Sequence, residues 1–373
     1  MNTVTVNKLT PTSRKTAGFA LLMVLMLIAT ASVVGISYIY GAQVKTASTG
    51  NLMLASSARY LAESGLQHGL YALQTRATPF GSADAPNGPY HVEAGDGGYV
   101  FYIAATSDPR NYRIVATGEE GEISQTVAMT VRLTSQYAEK MNDLDPMYWW
   151  RLGDSGFAAV DEAEREDGTY VNGVTRGVSG AILGDPDTAA DFRGSNDYVD
   201  ISNVEKLDWP RVTFGCWARA DAWSDAFPRL MARGESQSGL DRRWQVSVTH
   251  TRKLRFVLRL KNTNEICTGQ TPLSLGEWFF VVATFDKDAR KMVIYLNGRQ
   301  DGVRNNTLGE DIKDDDDELD AWIGDHPTIA GQAQWYGPID EAFILKDKAM
   351  TPDEVRELFE ASIPSVKVIS WDD

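Results

Sequence analysis

Cysteine and histidine are scarce in this chain of 373 residues, which holds two Cys and four His. Cys216 and Cys267 both lie in its second half, so there is no CxxC or Cys/His spacing on which a zinc site is built. Outside the cytoplasm the two would be free to pair; the alternative is two small buried apolar residues. His68, His91, His250 and His326 are scattered, and neither GxSxG nor HExxH occurs. With no nucleophile–base or metal–base constellation, the expectation is a binding protein, not an enzyme. Acidic residues are missing from the first 62 positions. Residues 1–140 carry ten Lys/Arg against nine Asp/Glu, leaving 26 against 42 beyond, so the acidic excess is C-terminal. Phosphate binding needs a basic surface, and nucleic acid is therefore excluded as a partner.

What the N-terminus does contain is a long uncharged run. Phe19–Tyr40 has no charge, and the uncharged stretch continues through Val44, long enough to cross a bilayer as a helix. Lys8, Arg14 and Lys15 precede it, which puts the N-terminus in the cytoplasm and the rest outside. A cleaved secretory signal or a simple signal anchor are the plainer readings. Against them, Ala55, Ala58, Ala62, Leu66, Leu70 and Leu73 recur at helical spacing beyond the run, so one helix is predicted over residues 19–74.

RKTAGFALLMVLMLIATASV resembles a class III type IV prepilin signal, and AESGLQHGLYAL resembles the distal helix of PilX-like and general-secretion K-type minor pseudopilins. The resemblance implies a leader over residues 1–18, cleavage by a prepilin peptidase after Gly18, and Phe19 as the mature N-terminus. It further implies other pilins and the inner-membrane assembly machinery as partners, and a single-pass protein of the bacterial inner membrane with periplasmic or cell-surface domains. At the fifth mature position, where major pilins carry Glu, stands Met23, which points to a minor subunit.

Past a Gly/Pro-rich loop, YVFYIAATS, NYRIVATG and ISQTVAMTVRL alternate as strands. They predict a small antiparallel sheet, within residues 75–133, packed on the helix. TSQYAEKMNDLDP is polar and ends in Pro, so residues 134–146 are expected to be a linker. Alternating runs then follow between Gly, Asp and Asn turns, with one helix signal at TPDEVRELFEAS, where Thr351 caps and Pro352 fills the first turn. The fold class expected is thus an α+β pilin-like part followed by an all-β jelly-roll sandwich.

The runs YWWRLG, GTY, GDPDTA, DYV, EW with VVATFD, YLNG and GPIDEAF, in that order, resemble the laminin-G-like, concanavalin-like jelly roll of bacterial surface proteins. That resemblance covers residues 147–362 and leaves 363–373 as a tail. It implies a structural Ca²⁺ held by Asp161 and Asp340. The acidic run Asp314–Glu318 lacks the glycine and spacing of a calcium loop and reads as a solvated turn. Trp335, Tyr336 and Trp244 are candidates for stacking on a sugar, although core packing is the default for Trp in a sandwich. The expected function is a minor pilin or pseudopilin displaying a glycan- or surface-binding module for adhesion or secretion, with residues 141–373 folding alone. The alternatives are a purely structural initiator of type II secretion or pilus assembly, and a surface glycan hydrolase.

Overall fold

The computed structural model describes residues 14–75, 87–108, 110–194, 196–202, 204–223, 227–235, 241–314, 320–326 and 333–372. The leader through residue 13, residues 315–318 of the acidic run and much of the loop before the first strand lie outside them. Helix α1 (Arg14–Thr75) is followed by strands β1 (Asn87–Ala94), β2 (Gly97–Ala105), β3 (Asn111–Glu120) and β4 (Ile123–Thr134). Then come α2 (Tyr137–Asp143), β5 (Tyr148–Trp150), β6 (Ala158–Ala159), β7 (Gly168–Val171), β8 (Thr175–Ser179), β9 (Thr188–Phe192) and β10 (Tyr198–Ile201). The chain continues through β11 (Arg211–Arg219), β12 (Arg229–Glu235), β13 (Asp241–Val248), β14 (Lys253–Leu260), β15 (Thr263–Pro272) and β16 (Trp278–Asp286). It ends with β17 (Lys291–Leu296), β18 (Arg299–Asn305), β19 (Ala321–Ile323), β20 (Gly337–Lys346), α3 (Pro352–Ala361) and β21 (Ser365–Asp372).

From Leu22 to Gln74 helix α1 is long and apolar enough to cross a membrane, and its first half turns Leu, Met, Val and Ile side chains outward. Gly18 and Phe19 lie in its first turns. Its distal half buries Ala62, Leu66 and Leu73 against Phe101, Ile114, Met129 and Val131 of the N-terminal sheet. Gly65 and Gly69 let helix and sheet approach: a Cβ on Gly65 would lie 2.8 Å from that of Ala116, and one on Gly69 2.6 Å from Ile114.

This sheet has five strands, not the expected three, in the order β1-β2-β3-β4-β21. The predicted tail is its edge strand: β21 runs antiparallel along β4 from Ser365 opposite Thr134 to Asp372 opposite Ala128. The expected linker is also structured. Its central residues form α2, whose Tyr137 and Met141 are wholly buried against Trp149, Trp217, Phe280 and Phe343. A span starting at residue 141 would therefore lose Tyr137 and tear β21 from its partner.

The sandwich pairs one sheet, β15-β14-β13-β12-β19-β10-β7-β6, with another, β18-β17-β16-β11-β20-β9-β8, onto which β5 adds beside β20. Alternation along each strand sends Trp244, Val246, Phe256, Leu258, Phe214, Val281 and Ile344 into the core between the sheets. The outer face of β11, β16 and β20 is apolar as well, and α2 and α3 cover it. Helix α3 starts as predicted: Thr351 Oγ1 accepts from the Glu354 amide, and the Glu354 carboxylate accepts from the Thr351 amide. Cys216 and Cys267 are free thiols buried in the core.

A candidate cation site

A break in strand pairing creates the site. Opposite Gly215 to Trp217 of β11, strand β20 places Phe343 to Asp340, one residue more, and Glu341 takes a φ of 54°. The bulge turns two successive acids, Asp340 and Glu341, away from the core that holds Ile339 and Ala342. Both are essentially sealed from solvent. A left-handed φ costs a non-glycine residue about 1–2 kcal/mol; here Glu341 is held by its side chain. Its Oε1 accepts from Arg151 Nη2 at 2.7 Å, and its Oε2 accepts from Trp149 Nε1 at 2.6 Å.

Arg151, just after β5, reaches two further acids on the loop before β9: its Nη2 lies 2.8 Å from Asp185 Oδ2, and its Nε 3.3 Å from Asp187 Oδ2. One oxygen each from Asp187, Asp340 and Glu341 lies within 4.8 Å of the others. Asp340 Oδ2 accepts from the Ala181 amide at 2.7 Å, whereas its Oδ1 is buried with no hydrogen bond; so is the Tyr137 hydroxyl from α2. Gly153 and Gly180 wall the cluster. A Cβ on Gly153 would overlap the Asp187 carboxylate, and one on Gly180 would come within 3.0 Å of Asp340 Oδ2.

Burial without enough positive charge shows in the titration. Burial pushes Glu341 up to about 7 and Asp187 up to about 6, with Arg151 pulling each the other way. Asp340 is raised well above the usual carboxylate range by burial and then by the charge of Glu341. One guanidinium thus serves four carboxylates. An all-oxygen donor set with an excess of negative charge fits a hard cation such as Ca²⁺, which completes its shell with water.

The sequence-predicted residues divide. Asp340 is in the cluster; Asp161 is not. Its Oδ1 accepts from the amides of Trp149 (2.8 Å) and Ala163 (3.0 Å), and its Oδ2 from those of Arg165 and Glu166 (each 3.1 Å). With four amide donors, Asp161 folds its own loop. Trp244 and Trp335 are each 1% exposed inside the core, so neither ring can meet a sugar, and Tyr336 is half-buried. Arg151, Asp187 and Glu341 stand inside runs that carried the family resemblance, but nothing local marked them as a cluster.

Residues 193–356 match the family model described as the concanavalin A-like lectin/glucanases superfamily. They form a concanavalin-like domain. Among solved structures, the chain is similar to a Trypanosoma rangeli sialidase in complex with the inhibitor DANA, at 11% identity and a TM-score of 0.42, covering 72% of this chain and 52% of the sialidase. It is similar to the botulinum neurotoxin serotype D binding domain at 14% identity and 0.41, covering 58% and 52%. A SAP-like pentraxin from Limulus polyphemus matches at 18% and 0.35, covering 44% and 78%. The chain spans about half the length of the sialidase and of the neurotoxin domain. No curated protein matches the sequence.

Proposed function

We propose that the protein is a membrane-anchored, pilin-like display subunit whose concanavalin-like domain binds a glycan or cell-surface ligand and carries Ca²⁺ at Asp187, Asp340 and Glu341. The carrying observation is the acidic cluster itself: three carboxylate oxygens within 4.8 Å of one another, with Asp340 Oδ1 sealed and unbonded. A cation there ties the Gly180–Asp187 loop to β20 and fixes the rim of the sandwich.

The pilin-like reading is supported by a long apolar helix that continues into the floor of a small sheet, by Gly18-Phe19 after a basic segment, and by Met23 in place of the usual Glu. On this reading a prepilin peptidase cuts after Gly18, other pilins and the inner-membrane assembly machinery are the partners, and the sandwich lies outside the cytoplasm. The test is binding of detergent-solubilised full-length protein to a glycan array in calcium and in chelator. Binding in calcium that chelator removes supports the proposal; a blank array in both conditions overturns it.

One observation favours the second reading, a structural initiator of secretion or pilus assembly. Leu183 packs on the core of the N-terminal sheet, and a Cβ on Gly184 would meet the backbone of Leu133 and Thr134 at 2.7 and 2.8 Å. The acidic loop therefore also braces the two parts. For this reading the array is blank while calcium still stabilises the protein.

A further inference from the structure

Phe157 is the most exposed large apolar side chain on the sandwich among the described residues, at 78%, and Val160 beside it is exposed too. It precedes β6, the last strand of one sheet, while β8 is the last strand of the other. Arg176 on β8 bridges these edges. Its Nη1 donates to the Gly156 carbonyl at 2.7 Å, and its guanidinium carbon lies 5.3 Å from the centroid of the Phe157 ring and 5.5 Å from that of Tyr170. An aromatic ring in water that is nonetheless held in place is preorganised for contact.

The ring is also joined to the acidic cluster. Gly153 abuts Asp187 and accepts at its carbonyl from Thr188 Oγ1 at 3.2 Å; Asp154 follows, and Phe157 is three residues further on. Asp154 Oδ2 accepts from the Tyr170 hydroxyl at 3.0 Å and from the Val160 amide at 3.3 Å. Both of these bonds go to Oδ2, which leaves Oδ1 without a hydrogen bond to the described residues.

We propose that Phe157 is the stacking platform for the apolar face of a neutral pyranose, with Asp154 Oδ1 accepting from and Arg176 donating to its hydroxyls. A sugar ring has what this surface asks for: one apolar face and a polar edge. Arg176 over the ring and Asp154 close by put polar groups beside the apolar face, which an acyl chain has no groups to pair with. The proposal rests on the reading of the domain as a glycan binder and names the subsite.

The test uses detergent-solubilised full-length protein on an array of neutral gluco-, galacto- and manno-oligosaccharides. Phe157→Ala is expected to lose at least ten-fold in affinity with an unchanged melting temperature, since the ring fills no core. Phe157→Trp is expected to keep binding and to shift its emission to the blue when saccharide covers the indole. Equal binding by Phe157→Ala, or indole emission that saturating saccharide leaves unmoved, overturns the platform while the glycan reading stands. A wild-type protein that binds no glycan removes both. Loss by Phe157→Ala of binding to phosphatidylcholine vesicles, with sugar binding intact, makes the surface a lipid contact and also overturns the proposal.

Discussion

Within the acidic cluster every added proton or cation relieves repulsion, and this sets a pH dependence. Glu341 stands at about 7 against an ordinary 4.5, and Asp187 at about 6 against 3.8. Because both are raised in the folded state, their contribution to stability is present in full below the unfolded values and is lost as pH rises through 6 and 7. The melting temperature of the chelated protein is therefore expected to fall between about pH 4 and about pH 7, while calcium affinity rises over the same range as protons cease to compete. A chelated melting temperature that is flat across this window contradicts the picture. Asp340 was legible as a candidate because it stands in a run shared with a known family, and the structure puts it in the acidic cluster. The cluster itself was not legible, since Arg151, Asp187 and Glu341 come from three runs distant in sequence, and only the β20 bulge brings the last of them round. Trp244 and Trp335 were misplaced because alternation gives a residue's face but not which face is covered.

At the level of elements, the start of α3 was readable from Thr351 and Pro352, and the structure adds Glu354 as the other half of the capping box. Thr351→Ala is expected to cost about 1 kcal/mol of stability, measured by denaturant unfolding; no loss would mean the box is idle. Helix α2 and strand β21 were missed for different reasons. Polar Glu139, Lys140, Asn142 and Asp143 hid the i, i+4 pair Tyr137 and Met141, whose burial becomes visible only when α3 and the outer face of β20 are in place. SVKVISWD alternates like a strand, yet its partner β4 lies more than two hundred residues earlier. Removing residues 365–373 would bare the β4 edge, and the truncated protein is expected to melt lower and to associate through that edge. A truncated protein that stays monomeric with an unchanged melting curve would show β21 to be dispensable.

Across the whole molecule, helix, small sheet and sandwich appear in the order the sequence suggested, but the sandwich is not simply appended. The chain leaves the N-terminal sheet through α2, builds the concanavalin-like domain, and returns as β21 to the sheet it left. The Gly180–Asp187 loop touches both parts through Leu183 and Gly184 on one side and Asp187 on the other. Cation binding is thus expected to stabilise the full-length protein by mass action, by about 2.7 kcal/mol when the ion stands at a hundred times its dissociation constant. Processing after Gly18 belongs to this scale as well: mass spectrometry of membrane-extracted protein is expected to find Phe19 at the N-terminus, and an intact Met1 would contradict the pilin-like reading.

Whether Asp187, Asp340 and Glu341 hold a cation is decided by calorimetric titration of Ca²⁺ into the detergent-solubilised full-length protein alongside Asp340→Asn and Asp161→Asn. The expected result is one ion bound per chain with release of protons, abolished by Asp340→Asn. That variant should also melt higher than wild type in chelator at alkaline pH, where Asp340 would otherwise have to carry a buried charge. Asp161→Asn should keep the ion and melt lower, because its loop loses a charged acceptor for four amides. Absence of binding by the native protein, or binding that survives Asp340→Asn and is lost in Asp161→Asn, would contradict the assignment.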